Sequence, residues 1–182
     1  TLETIAANLG SMATPIGNPQ NLYLYASGKL LRETYGNVTL DFLYDNHGYP
    51  YALIYTAGET TATYYYITNL QGDVLGLIDA SGNSVASYTY DPYGKVLTAT
   101  GDLAEINPLR YRGYVYDSDT GFYYLQSRYY DPTTCRFINA DSYASTGQGI
   151  IGCNMFAYCG NNPISRSDAT GCRWWGCGDF GE

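Results

Sequence analysis

Five turn signals punctuate the first half of this chain at roughly the spacing of one strand or one hairpin: Ala26-Ser-Gly28, Asp45-Asn-His-Gly48, Asn69-Leu-Gln-Gly72, Asp79-Ala-Ser-Gly82 and Asp91-Pro-Tyr-Gly94. In the last four an Asp or Asn can bind backbone amides just ahead of it, while the Gly three residues on takes a positive φ at no steric cost. Pro92 also sits where a type I turn needs a fixed φ. The runs between these turns, such as Thr63-Tyr-Tyr-Tyr-Ile67, Asp73-Val-Leu-Gly-Leu-Ile78 and Ser84-Val-Ala-Ser-Tyr-Thr-Tyr90, are short, aromatic or β-branched, and read as strands. The expectation is a meander of antiparallel hairpins with more than half of residues 20–130 in strands. Such a meander cannot hide its own sheet edge, so it is expected to continue into neighbouring repeats and to associate when separated from them.

Composition narrows the class further. With 182 residues and 45% hydrophobic content the chain can bury a core, which argues against disorder. Of its aromatic residues 22 are Tyr against 5 Phe and 2 Trp, a choice that suits strands with half-wet faces. A net charge of −8 with only 9 Lys and Arg argues against nucleic acid as a partner, because phosphate affinity depends on basic side chains. No apolar run approaches the ~20 residues of a membrane span, and the N-terminus does not resemble a signal peptide. A start at Thr1 reads as excision from a longer protein.

Cys135, Cys153, Cys159, Cys172 and Cys177 show no C-x-x-C spacing, and the single histidine, His47, is remote from them. No metal site and no cofactor are expected, and the cysteines read as small hydrophobes with at least one thiol unpaired. With its single histidine the sequence gives no argument for a Ser-His-Asp triad, and there is no phosphate loop. The chain divides into a lead-in at 1–19, where Leu2, Ile5, Ala6 and Leu9 could share one face of a helical turn or two, and hairpins at 20–106. A dense aromatic block with a Gly/Ser/Thr loop at 142–149 and a segment at 153–159 that is helix or strand occupies 107–171. A tail without period follows at 172–182.

Tyr44-Asp-Asn-His-Gly48 and Tyr90-Asp-Pro-Tyr-Gly94 match the Y-D-x-x-G unit of YD repeats. The later block runs Leu109-Arg-Tyr-Arg-Gly113, Tyr116-Asp-Ser-Asp-Thr-Gly121, Phe122-Tyr-Tyr124, Arg128-Tyr129-Tyr130-Asp131-Pro132, Arg136-Phe137 and Asn154-Met-Phe-Ala-Tyr-Cys-Gly-Asn161-Asn162-Pro163. In order and spacing it resembles the Rhs repeat-associated core at the C-terminal end of YD-repeat proteins, over residues 20–171 and most specifically from 107 onward. The resemblance implies an all-β fold in which antiparallel YD-repeat hairpins form part of a spiral β-sheet shell capped by the Rhs core. It also implies a secreted or cell-surface setting as part of a larger protein, with the upstream YD repeats and the chain's own C-terminal peptide or a toxin cargo as partners. Tyrosine walls would then face the enclosed polypeptide. Composition alone favours a tyrosine-rich sandwich instead. Cys135 stands where the family has glycine, so a turn with φ < 0, or modest strain, is expected there.

The same resemblance implies a single self-cleavage by two aspartates in paired turns, here Asp141 and Asp168. Sharing one proton, one carboxyl would activate water while the other polarises the carbonyl. Cleavage would follow Gly171 or Cys172 and release residues 173–182 or 172–182, too few for a folded toxin. The prolines of both family turns are absent. By residue type alone Asp141, Asp168 and Asp131 are Asx-turn formers, and Arg128 and Arg136, which flank Asp131 in sequence, could lower a carboxylate pKa or equally make structural salt bridges. Three function classes thus stand side by side: a shell end, a self-processing aspartic protease, and an adhesion or carbohydrate-binding module offering tyrosine stacking faces.

Overall fold

A computed structural model describes residues 2–5, 21–141, 154–172 and 175–176. Nine strands form one sheet: β1 (Leu2–Ile5), β2 (Asn21–Ala26), β3 (Lys29–Tyr35), β4 (Val38–Tyr44), β5 (Pro50–Ala57), β6 (Thr60–Thr68), β7 (Val74–Ile78), β8 (Ser84–Tyr90) and β9 (Val96–Thr100). Each pairs antiparallel with its neighbours in chain order, so the sheet is a pure meander. More than half of residues 21–130 lies in antiparallel strands, as the turn spacing requires. A second sheet orders β10 (Val115–Asp117), β11 (Phe122–Leu125), β12 (Arg128–Asp131) and β13 (Arg136–Phe137), and β14 (Arg166–Ser167) pairs with β15 (Trp175–Gly176).

The four Asx-led turns share one set of bonds. In Asp45–Tyr49 the carboxylate Oδ1 accepts from the amides of His47 and Tyr49, each at 2.9 Å, and Gly48 N donates to Asp45 O at 3.0 Å. Asn69, Asp79 and Asp91 repeat the pattern with Gly72, Gly82 and Gly94, whose φ values lie between +84° and +89°. The strand register shifts by one immediately before each of these turns, at Leu43/Tyr44, Ile67/Thr68, Leu77/Ile78 and Thr89/Tyr90. Such bulges add local twist, so turn chemistry and sheet curvature have one cause.

Alternate residues face one side of the sheet. Tyr23, Tyr25, Leu30, Leu40, Phe42, Leu53, Val74, Leu77, Ala86 and Tyr88 form its buried face. Leu103, Ala104 and Leu109, from the connection into the second sheet, close over that face together with Val115 and Tyr124. The opposite face carries the Arg32–Asp41 ion pair and exposed Leu22, Leu43 and Ile67. A sandwich of the large sheet on itself is therefore not what forms; the C-terminal segment packs on the meander.

Most of the described tyrosines are half-exposed, as strands with half-wet faces require, and most of the others are core residues. Among the described residues eight tyrosines are buried (Tyr23, Tyr25, Tyr88, Tyr111, Tyr114, Tyr123, Tyr130 and Tyr158), and most of them direct the hydroxyl to a polar partner inside the protein. The joint between the two sheets depends on this. Tyr111, Tyr130 and Tyr123 donate to the successive carbonyls of Pro92, Tyr93 and Gly94 at 3.0, 2.7 and 2.7 Å.

Three expectations need correction. Leu2–Ile5 is a strand paired with β2, not the start of a helix, because β2 offers an edge that a strand satisfies along its whole length; the remainder of the lead-in, 6–19, lies outside the described residues, as do the 142–149 loop and Cys153. The tail is not wholly irregular, since Trp175 and Gly176 pair with Ser167 and Arg166. Cys135 has φ +61°, in the left-handed region, so the turn with φ < 0 does not form and the alternative, modest strain, is what is found. Beyond these, the 154–161 segment is mostly irregular, with a short helical turn at Cys159–Asn161.

Two measurements follow. Cys135→Gly is expected to stabilise the chain by about 0.5–1 kcal/mol, read as a higher urea midpoint, because it removes a left-handed Cβ and gives up only a weak Sγ contact to Pro132 O at 3.7 Å. Glu33, on the buried face, has its carboxyl pushed up to about 7 by burial, partly offset by its hydrogen bond with Tyr23. The folded state therefore holds a proton that the unfolded chain releases near the ordinary value of 4.5, so this group's contribution falls as pH rises from 4.5 to 7 and is fully unfavourable above 7. Glu33→Gln should raise Tm at pH 8, by an equivalent of up to about 3 kcal/mol, and leave it nearly unchanged at pH 4.

Candidate functional site

β11 and β12 are joined by a tight turn at Gln126 and Ser127, with Gln126 at φ +60°. The alternation of β12 sends Arg128 and Tyr130 inward and leaves Tyr129 and Asp131 on the other face, where Tyr129 packs on Tyr124 at 5.3 Å between ring centroids. Arg128 is 6% exposed, and its guanidinium lies 3.6 Å from the Phe137 ring centroid. A buried cation needs charge and acceptors around it. Arg128 obtains both: Nη2 lies 2.9 Å from Asp141 Oδ2 and 3.8 Å from Asp168 Oδ2, and Nη1 donates to Met155 O at 2.8 Å. Nε donates to Gly171 O. Burial pulls the Arg128 pKa down from its ordinary value, against the opposing pull of Asp141, Asp168 and Cys172.

Both candidate aspartates are thus brought to one guanidinium nitrogen although 27 positions separate them, and both are buried, at 6% and 2% exposure. Asp141 is also anchored by its amide, which donates to Met155 O at 2.9 Å. Asp168 is held through its backbone: its N–H donates to the Tyr114 hydroxyl at 3.2 Å, and that hydroxyl donates to Asp168 O at 3.0 Å. Tyr158 stands behind Tyr114, with the two hydroxyls 3.3 Å apart. The arrangement places a fixed cation between two carboxylates, where a bare aspartic pair would hold a proton.

The turn that follows Asp168 is fastened to the β11–β12 turn. Gln126 Nε2 donates to Ala169 O at 3.0 Å and Ser127 Oγ to Thr170 O at 2.7 Å, ahead of the Arg128 bond to Gly171 O. Gly171 has φ +70°, and a Cβ there would meet Leu125 O at 2.6 Å and Ser127 Oγ at 2.8 Å. Glycine is therefore required twice over, by conformation and by space. Cys172 lies beside it with Sγ 3.2 Å from Ser127 Oγ.

The other motif residues are structural. Asp131 closes an Asx turn, accepting from Thr133 N and Thr134 Oγ1, each at 2.8 Å, and Arg136 is exposed and forms the backbone pair opposite it. Arg128 turns away from Asp131, so these two do not form the flanking salt bridge considered from sequence. Asn161 O accepts from Tyr93, Asn162 Oδ1 from Ser165 N, and Pro163 O from Arg112. Arg112 and Arg110 were missed by sequence reasoning. Arg112 ties Pro163 to Gln71 O, and Arg110 is buried at 3% exposure against Tyr88 and Tyr116 while donating to Ala104 O. Their positions in the Leu109-Arg-Tyr-Arg-Gly113 motif were the available signal. Among the described residues no cluster of three or more His, Cys, Asp or Glu is arranged to hold a metal ion.

The chain is 37% identical over 164 residues to a tRNA3(Ser)-specific nuclease WapA of Bacillus spizizenii, covering 87% of the chain and 7% of that protein. It is 35% identical over 99 residues to salivary gland surface protein 1 of Aedes aegypti, covering 52% of the chain and 3% of that protein. Among solved structures, TcdB2-TccC3-Cdc42 superposes with a TM-score of 0.66 at 23% identity, over 84% of this chain and 8% of that one, a likeness of fold alone. The chain therefore spans less than a tenth of the length of these relatives. The model of the teneurin YD-shell family matches residues 26–164, which take in β3 to β9 of the meander, the second sheet, Arg128 and Asp141 and stop short of Asp168 and Gly171. The chain belongs to the teneurin YD-shell family.

Proposed function

We infer that this chain is the closing end of a YD-repeat shell, which encloses or presents a polypeptide continuous with its own C-terminus. The observation that carries this reading is the docking of the C-terminal segment: residues 103–124 cover the buried face of the meander, while Tyr111, Tyr123 and Tyr130 grip the 92–94 turn at its rim. The buried face of the sheet is thereby covered by the chain that follows it. Relatives named as nucleases and a structural neighbour named for a Tc toxin support a toxin-delivery setting, with the cargo and the upstream repeats as partners and a secreted or surface location for the larger protein. The Rhs repeat-associated core corresponds in this reading to residues 107–171.

A second reading, self-processing, is favoured by one specific observation. Arg128 brings Asp141, Asp168 and the Gly171 carbonyl into a single buried cluster, which a pair of independent Asx turns has no need to do. In this reading Arg128 polarises the Gly171 carbonyl while the carboxylates position and activate the attacking group, and the bond lost lies at Gly171 or Cys172.

The shell reading is tested by limited proteolysis of the longer protein that carries this chain. Its C-terminal polypeptide should resist protease when residues 107–171 are present and be digested when Tyr111, Tyr123 and Tyr130 are all changed to Phe, which removes the rim bonds and keeps the rings. Equal digestion of both would count against enclosure. For self-processing, intact mass should show loss of a C-terminal peptide in the unsubstituted chain and its retention in Asp141→Asn and Asp168→Asn, with unchanged far-ultraviolet circular dichroism. Gly171→Ala should also retain the tail, since its Cβ would displace the turn and a misplacement of 1 Å can lower a rate about a hundredfold.

A further inference from the structure

The residue that follows the clamped turn is a cysteine, and its surroundings give the thiol a chemical role. The Ser127 hydroxyl has a single hydrogen, which it donates to Thr170 O at 2.7 Å. In the 3.2 Å contact between Ser127 Oγ and Cys172 Sγ the thiol is accordingly the donor. The Ser127 hydroxyl thus orients the S–H. One bond back along the chain, the Gly171 carbonyl accepts from Nε of Arg128, a buried, charged donor aimed at the oxygen on which negative charge would develop during attack. Gly171 carries no side chain to shield the carbonyl carbon, and the Ala169 and Thr170 carbonyls are held as well, so the acyl side of the bond is fixed.

We propose that Cys172 is the nucleophile at this turn, its thiol attacking the Gly171 carbonyl carbon to convert the Gly171–Cys172 amide into a thioester. This deepens the self-processing reading and rests on it. Sγ forms the new bond to carbon and its proton leaves for the amide nitrogen, the Ser127 hydroxyl serving to orient the S–H and not as its base; the electron pair of the carbonyl moves onto the oxygen held by Arg128. When the carbonyl reforms, the C–N bond breaks, its electron pair stays on the Cys172 nitrogen, and that nitrogen takes up the proton as a primary amine. The step is an isomerisation without change of mass. Water or an added thiol then attacks the thioester, leaving residues 1–171 as acid or as a new thioester and releasing a peptide that begins with Cys172. An internal thiol has the advantage of proximity over water, and among protein nucleophiles a thiol is intrinsically strong.

The test uses the whole 182-residue chain, incubated with and without 2-mercaptoethanesulfonate or hydroxylamine and read by intact mass. The expected result is faster cleavage with either reagent, a fragment 1–171 carrying the thiol as a thioester, and a peptide 172–182 with a free N-terminal cysteine. Cys172→Ala should lose this reagent-dependent cleavage entirely, and Cys172→Ser should retain a slower, hydroxylamine-sensitive reaction through the oxygen ester. Release of peptide 173–182, or cleavage of Cys172→Ala at the unsubstituted rate, would overturn the thioester and leave the aspartate-and-water reading standing. An intact chain under every condition would overturn both.

Discussion

A buried tyrosine has to place its hydroxyl against an acceptor, and in this protein the acceptors are mostly backbone carbonyls at turns and strand ends. That single requirement organises the structure. Leaving a buried hydroxyl without a partner costs on the order of 1–3 kcal/mol. Tyr25 bears that cost, but most of the other buried rings also fix where a particular polar group must be. Tyr44 fixes Leu30 O and Tyr90 fixes Val74 O within the meander, and three rings from the C-terminal segment fix the 92–94 turn. Phenylalanine would fill the same volume and set nothing. The excess of Tyr over Phe is therefore a device for registering one sheet on another, and only in part a matter of wettable walls.

The three inward arginines extend the same logic to charge. Each binds backbone carbonyls: Arg110 that of nearby Ala104, and, from distant parts of the chain, Arg112 those of Gln71 and Pro163 and Arg128 those of Met155 and Gly171. Planar forks with several donors suit this use better than lysine, which presents a compact, strongly hydrated charge. Arg110 stacks on Tyr116 at 4.2 Å and Arg128 on Phe137 at 3.6 Å, so the cations are also packed as flat bodies. Arg128 differs from the others in facing two buried carboxylates together. Arg112 has one, Asp73, at 3.5 Å, and the partner of Arg110, Glu105, is largely exposed at 3.6 Å. The cluster of highest buried charge is the one next to the clamped Gly171, which sets it apart from a stitch in the core.

Much of the meander could be read from residues because its turns are local chemistry. An Asx carboxylate and a glycine three residues on suffice to close Asp45–Gly48, and all five turns named from sequence carry a glycine at positive φ. The two-residue turns at Gly36-Asn37 and Gly58-Glu59 went unnamed, although glycine beside a polar residue between two strand-like runs is itself a hairpin signal. The lead-in was misread for the opposite reason. Its apolar spacing fits a helix, but β1 forms because β2 presents an edge, and pairing partners are not written in a four-residue stretch. Asp141 and Asp168 were found through a motif, whereas the role of Arg128 between them depends on β12 alternation and on a turn 43 positions away, which local pattern cannot supply.

The distribution of backbone strain separates the two halves of the molecule. In the meander the left-handed positions belong to glycine, with Ser27 the exception among the described residues. In the C-terminal part Arg112, Gln126, Cys135, Cys159 and Asn161 all hold positive φ with a side chain in place. Each such residue other than Asn costs on the order of 1 kcal/mol and persists only where its surroundings determine it. At Arg112 and Gln126 the compensation is visible, for both side chains hold distant carbonyls from the strained position. The hairpins thus take the cheapest turn available, while the C-terminal segment accepts strain wherever a side chain is needed at the bend. Gln126, Ser127 and Arg128 form such a bend, and the three carbonyls they hold are those immediately preceding Cys172. A turn clamped in this way would keep its new end in place after the chain was cut beyond it, so processing and closure need not be competing uses of the same residues.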